Sequence, residues 1–273
     1  VLGFIVKAVT GFSEKIDSVG KTFGYLTTAA PDFRNSLIDS GNEAIMIGKG
    51  LEDVLAVTSQ LSSEFGITLK ESKDIAGSVL DTATAVGISN DEATKLFGTF
   101  MQIGGLTSDQ AENLIESTAQ LAAQKGVAPA AVLQDMAASS EEIAGFTKDG
   151  GNNIAEAAVQ ARQMGLSLST TAKIAEGLLD FESSIANEVE ASVMIGKQLN
   201  FQKARELALD NDIAGATKSI VDQLGDEADF NALSFIQRQS LAKSIGVSVS
   251  EMAKLVKGSK ELTLSGALAG KSF

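Results

Sequence analysis

Apolar residues recur along this chain at the spacing of one helix face, and they do so in short bursts. Between residues 67 and 168 three bursts read cleanly. They are Ile75, Val79, Leu80, Ala83 and Val86; then Ala93, Leu96, Phe97, Phe100 and Met101; then Ala111, Leu114, Ile115, Ala119, Leu121 and Ala122. Steps of three and four put each set on one side of a helix. Each helix is expected to run some 14 to 17 residues, about four turns, a length that is marginal in isolation, so each must bury its face on neighbours. An earlier run from Asn42 to Ser63 carries Ile45, Ile47, Leu51, Val54, Leu55, Val57 and Leu61 at the same spacing. No stretch alternates with the period of a strand. The predicted fold class is all-α: an array of short helices, then a longer helix and a C-terminal helical region.

Between the bursts a short element repeats: glycine, an apolar residue, Ser or Thr, then Glu or Gln three residues on. It reads Gly66-Ile67-Thr68-x-x-Glu71, Gly87-Ile88-Ser89-x-x-Glu92, Gly105-Leu106-Thr107-x-x-Gln110 and Gly246-Val247-Ser248-x-x-Glu251. The glycine suits the left-handed position that closes one helix. The hydroxyl caps the next helix while Glu or Gln caps it reciprocally. Looser copies stand at Gly126-Val127-Ala128-Pro129, where Pro fits a first helical position, at Gly145-Phe146-Thr147 and at Gly165-Leu166-Ser167. The glycines at 66, 87, 105, 126, 145 and 165 fall 21, 18, 21, 19 and 20 residues apart. Such an array builds a surface or a scaffold, and nothing in it demands catalysis.

After Ser169 the rhythm changes. Ile174, Leu178, Phe181, Ile185, Val189 and Val193 step by 4, 3, 4, 4 and 4, which predicts one long helix. The wide steps suit a straight helix better than a left-handed coiled-coil seam. Two uses fit this stripe: an intrachain core face, or self-association between copies. Further helices are expected at 200–209, 212–224, 230–245 and 249–258. The expected organisation is an N-terminal helical segment (1–66), the short-helix array (67–168), and the long helix with the C-terminal region (169–273). Residues 1–29 are weakly amphipathic up to the break at Pro31, and Leu262 to Phe273 is rich in small residues.

Composition narrows the function. A hydrophobic content of 44% supports a core, but only 5% is aromatic, with no Trp and a single Tyr25, which suits closely packed helices. A chain opening on Val1 is expected to be a piece of a longer polypeptide. With no Cys and no His, disulfides, thiolate nucleophiles, imidazole bases and zinc sites built on those residues are excluded. The net charge is −13 and unevenly spread. Residues 71–142 carry eleven acids against three lysines, giving −8, while 237–273 carry six bases against two acids, giving +4. An acidic middle disfavours a phosphate backbone. The basic end reads as solvated helix faces. Val1-Leu2-Gly3-Phe4-Ile5-Val6 is apolar, but Lys7 ends the run far short of the roughly 20 residues a bilayer needs. No membrane contact is expected of this segment.

Three candidate sites fail on their spacing. Gly20-Lys21-Thr22 matches the end of a phosphate-binding loop, but Lys15 stands where the earlier glycine belongs. Asp210-Asn211-Asp212 with Gly215 hints at a calcium loop, yet Ala214 and Val221 occupy liganding positions, so a helix–helix turn capped by Asp is expected. The carboxylates Glu141-Glu142 and Glu188 through Glu190 are the densest, but no aromatic platform accompanies them for a glycosidase role. No enzyme activity, metal or cofactor is expected.

The turns Gly105-Leu106-Thr107-x-x-Gln110-Ala111 and Gly87-Ile88-Ser89-x-x-Glu92-Ala93 resemble those in the tail tape measure proteins of tailed bacteriophages. The stretch from Glu188 to Val256 is similar to the tape measure proteins of marine contractile-tailed phages. Its telling parts are Ala191-Ser192-Val193-Met194-Ile195-Gly196-Lys197-Gln198-Leu199-Asn200, Ala204-Arg205-Glu206-Leu207-Ala208-Leu209 and Gln237 through Ser248. The likeness covers about two thirds of the chain. It implies a virion protein inside the tail tube or baseplate hub that sets tail length and leaves ahead of the DNA at genome ejection. It also implies a homotrimer contacting tube and baseplate hub proteins, and no catalytic residue carries over. A measuring rod would be one long helix at ~1.5 Å per residue, which glycine turns forbid here. The segment is therefore expected to be a folded portion near one end of such a protein. A helical-repeat binding scaffold of other origin would share the same physics, and the apolar start with the Gly/Ala-rich end leaves a membrane-active segment as a third alternative.

Overall fold

The computed structural model describes residue 46 and residues 48–225 and 227–258. The expectations for Ile45, Ile47, residues 1–29, Pro31, Gly20-Lys21-Thr22 and Leu262 to Phe273 lie outside those residues. Among the described residues there are fourteen α-helices and no strand, so the fold is all-α. The chain forms two compact units.

The first unit takes the described residues up to Gln102 together with 106–112. Its helices α1 (Leu51–Phe65), α2 (Leu69–Val86) and α3 (Asn90–Gln102) each pack on the other two. The apolar stripes of the sequence become its core: Val54, Leu61, Val79, Leu80, Leu96, Phe97 and Phe100 are buried. Gly98 on α3 sits against Phe65, and a Cβ there would collide with the ring. The bare backbone is what lets these two helices close. Asp53 and Asn90 fasten the ends of α1 and α3, with Asn90 Nδ2 donating to Asp53 Oδ1 at 2.9 Å.

The division between units falls within α4 (Ser108–Gln124). The second unit then holds α5 (Pro129–Ala138), α6 (Ser140–Ile143), α7 (Asn152–Gln163), α8 (Leu168–Leu179), α9 (Phe181–Ile195), α10 (Gln202–Leu209), α11 (Ile213–Leu224), α12 (Glu227–Ala232), α13 (Phe235–Lys243) and α14 (249–258). Helix α8 is its axle. It packs on α5, α6, α7, α9, α10 and α11, and its buried residues, Leu168, Thr170, Thr171, Ala172, Ile174, Ala175 and Leu178, run round most of its circumference. A helix apolar or small on so many sides belongs inside.

Three expectations are corrected. The stretch from Ile174 to Val193 is two helices, because Asp180 interrupts it at φ −76°, ψ 78° and its carboxylate accepts the Ser183 N–H that opens α9. An acceptor placed to cap a helix start competes with carrying the helix through. Residues 230–245 likewise divide, since Ser234 and Gln237 form a capping box that starts α13. Gly145 is not a left-handed turn but lies in a 3-10 turn (Ala144–Phe146), and the positive φ angles fall at Asp149, Gly150 and Gly151. The Asn153 carboxamide organises that loop, donating to Phe146 O at 2.7 Å and accepting from Lys148 N–H at 2.9 Å.

At four of the glycine junctions the backbone closes by one recurrent bond. Gly87 has φ +76°, and the N–H of Ile88 reaches back to Ala83 O at 3.0 Å. The same step runs from Val127 to Ala122, Leu166 to Ala161 and Val247 to Ala242. These are Schellman closures, which satisfy carbonyls a helix end leaves unpaired.

Between α5 and α8 one buried group does the fastening. Asp135, 7% exposed, accepts the N–H of Leu168 at 2.7 Å and lies 3.4 Å from Arg162 Nε. Burial pushes its carboxyl above the usual value, against the pull of Leu168 and Arg162.

Three outcomes follow for stability. Gly87→Val and Gly105→Val should each cost about 1–2 kcal/mol in chemical denaturation, from backbone strain alone, because open space surrounds the added Cβ. Ser89→Ala, Thr107→Ala and Ser248→Ala should each cost about 1 kcal/mol by the same measurement. Asp135 has the opposite pH sense to a salt-bridged acid. Its raised folded pKa means the native state holds the proton after the unfolded state has lost it, so its contribution falls as pH climbs above about 3.8. Asp135→Asn should therefore remove part of that decline, and the stability difference between variant and parent should shift in the variant's favour between pH 3 and pH 7. A difference that is flat over that range would show that Asp135 is not the group titrating.

Candidate interaction surface

The junction residues are occupied with capping. Glu71 N–H donates to Thr68 Oγ1. Ser89 and Glu92, Thr107 and Gln110, and Ser248 and Glu251 each exchange both bonds of a capping box. Glu251 also accepts the Thr170 hydroxyl at 3.1 Å, and bonds from Ser248 hold its carboxyl below the usual range. These bonds order backbone at the helix starts.

The denser carboxylates are likewise engaged. Glu142 accepts from Ser169, Glu190 pairs with Lys243 at 3.1 Å, and Glu188 pairs with Arg205. Asp212 caps Gly215 N–H at 2.7 Å, with Asn211 left-handed at φ +59°. Among the described residues no group of three or more His, Cys, Asp or Glu is placed to hold a metal, and no helix is long and apolar enough to cross a membrane.

What stands out chemically is α9, whose polarity is inverted. Its buried residues are Ser184 and Ala191. Its large apolar residues face water: Phe181 is 44% exposed, Ile185 50%, Val189 58% and Val193 76%. The sequence stripe is thus split, since Ile174 and Leu178 on α8 are fully buried. The break at Asp180 allows the two halves to face different surroundings.

The inward face of α9 is held by polar bonds. Arg205 on α10 is 7% exposed and donates from Nε to Ser184 Oγ at 3.0 Å and from a terminal nitrogen to Glu188. Glu188 also accepts the N–H of Phe201 at 3.0 Å, which fixes the start of α10. A guanidinium buried this deeply needs such partners. The sequence held a clue: Arg205 lies between Ala204 and Ala208, both fully buried, on what must be the inward side of α10. Two clefts flank α9, one of about 430 Å³ towards α10 and one of about 490 Å³ towards α13. Beside the second, Phe235 and Ile236 are 70% and 61% exposed, and Gln237 donates to Met194 O at 2.9 Å. The apolar surface of α9 is therefore continued by the start of α13.

Comparison with known protein families, with curated proteins and with solved structures finds no match for this chain.

Glu188→Ala should destabilise the second unit by about 3 kcal/mol, because it strands a buried guanidinium and the Phe201 N–H together. Removing both charges in Glu188→Leu with Arg205→Leu should cost less than the single change. Equilibrium unfolding of Glu188→Leu, Arg205→Leu and the double variant measures this, and additive losses would mean the pair is not coupled.

Proposed function

We propose that this chain is a folded segment of a bacteriophage tail tape measure protein, a structural virion component that acts without catalysis. The observation that carries the proposal is the likeness of residues 188–256 to such proteins. The telling stretches build one region: Ala191 to Asn200 closes α9, Ala204 to Leu209 lies within α10, and Gln237 to Ser248 runs through α13 into the capped start of α14. Within that region lie the inverted face of α9 and the buried Arg205 that fixes it.

Physics elsewhere in the chain supports the same role. Described helices no longer than 18 residues, many separated by left-handed glycines, make folded units and not a rod of measured length. A segment of this kind belongs near one end of the protein, by the tube lumen or the baseplate hub, where it meets tube and hub proteins. The net charge of −13 keeps it from adhering to the DNA that follows it. A helical-repeat scaffold unrelated to tails would use the same helix junctions, and localisation separates the two.

Antibody raised against the 273-residue chain, together with mass spectrometry of purified particles, tests the proposal. The segment should be present in intact virions, inaccessible to antibody before ejection, and lost from particles after DNA release. Its absence from purified virions would leave the scaffold alternative standing instead.

A further inference from the structure

We propose that the cleft between α9 and α13 seats an aliphatic residue of an extended, uncharged peptide segment, whose peptide carbonyl accepts a hydrogen bond from the buried Ser240. A virion role is not required for this; the groups lining the cleft carry it.

Ser240 on α13 is 6% exposed, and its hydroxyl has no hydrogen-bond partner. A hydroxyl in a helix ordinarily bonds a carbonyl about one turn back. Thr217 does so to Ile213 O at 2.9 Å, and Ser244 to Leu241 O at 2.7 Å. A buried polar group left without a partner is costly and uncommon. Thr58, Thr82 and Thr99 share that state in the first unit, but Ser240 is the one that lines a cleft beside α9. Ile236, Gln239, Ser240 and Lys243 all line it. Their steps of three and four residues put them on one face of α13, so the Ser240 side chain lies on the side of the helix that fronts the cleft.

The cleft holds about 490 Å³, room for a small group. Met194, Ile236, Val247 and Val249 give it apolar walls. Val249 is also the first residue of α14, and the leading N–H groups of a helix have no partner within it. Hydroxyl and N–H alike can donate, so the occupant that satisfies them brings an acceptor oxygen.

Charge decides which acceptor. Glu190 and Lys243 both line the cleft and pair with each other at 3.1 Å. Glu251 already places a carboxylate at the start of α14, accepting the Ser248 N–H at 2.8 Å. Among the lining residues no positive charge is left over, so an anion would have to displace one of these carboxylates. A neutral carbonyl needs no such exchange. The rim is open, since Ile236, Gln239 and Lys243 are exposed, and an occupant can run on past it as a chain does. The Gln239 carboxamide there carries both donors and an acceptor, the complement of a peptide bond.

N-acetyl-leucine amide, titrated into the 273-residue chain and followed by backbone amide NMR shifts, tests this. It should move Ser240 and Val249 with a Kd on the order of millimolar, the strength open to a fragment of about a dozen heavy atoms. N-acetyl-alanine amide should bind roughly tenfold more weakly, because it leaves the apolar walls uncovered. A blocked alanine-leucine-alanine tripeptide should bind at least as well as the single residue. Ser240→Ala should weaken the probe roughly fivefold, the worth of one neutral hydrogen bond, with thermal stability no lower than the parent's. Ile236→Asp should abolish the shifts with circular dichroism unchanged. No localised shifts at the solubility limit would overturn the site, and equal binding by Ser240→Ala would overturn the role of the hydroxyl. Tighter binding of N-acetyl-leucine, with its free carboxylate, would overturn the neutral acceptor and mark an anion site. Loss of binding on extension to the tripeptide would overturn the peptide in favour of a small neutral amide.

Discussion

A helix of four or five turns is marginal in water, and no described helix here exceeds 18 residues. Each must therefore gain most of its stability by burying a face on its neighbours. That constraint accounts for α1, α2 and α3 packing mutually, each against both others, where two helices alone would leave faces uncovered. It accounts also for α8, which is small or apolar on most sides and is covered by six other helices. Helix α9 is the element that departs from it, since among its residues Ser184 and Ala191 are buried while Phe181, Ile185, Val189 and Val193 stay exposed.

The junctions make that arrangement definite. A left-handed glycine followed by a reciprocal cap ends one helix and begins the next within about three residues, so the chain reverses without a loop whose backbone would need other partners. Side chains set the chain's course at two further places. Asp180 splits what would otherwise be one helix, and Asn153 holds the turn around Phe146 and Lys148. These two side chains place the boundaries that matter most to the surface of the second unit. Without the break at Asp180, the row on α9 would continue the buried row of α8 on one axis, and both could not satisfy their surroundings.

The parts legible in the sequence are those where one residue type has one physical use. Helical period, the absence of strand alternation and the Gly-x-Ser/Thr-x-x-Glu/Gln junctions are of this kind, and they locate most helices of the array. The break at Asp180 was not legible, because Asp is tolerated within helices and nothing in the apolar spacing from Ile174 to Val193 marks the change of axis. Ser234-x-x-Gln237 carries the capping pattern but lacks a preceding glycine, and so it hid inside an apparent single helix over 230–245. The inversion of α9 was hidden for a deeper reason. Periodicity shows that a stripe exists but not which side of the helix the rest of the chain occupies. That is decided by Arg205, distant in sequence, and by the two bonds that bring Ser184 and Glu188 inward.

The buried guanidinium gives α9 its sense, and it does so at a cost that a purely apolar seat would avoid. Replacing a buried ion pair with packed hydrophobic residues is often neutral or stabilising. An apolar seat for α9, however, would let either face of the helix turn inward, because the outer row is itself apolar. Serine and a carboxylate on one face, with an arginine opposite, make the two orientations unequal. The row then stays outward whatever the attraction of the core. The polar tie and the exposed row are thus two halves of one device. The tie gives up some stability within the chain and, in return, holds the apolar row at the surface.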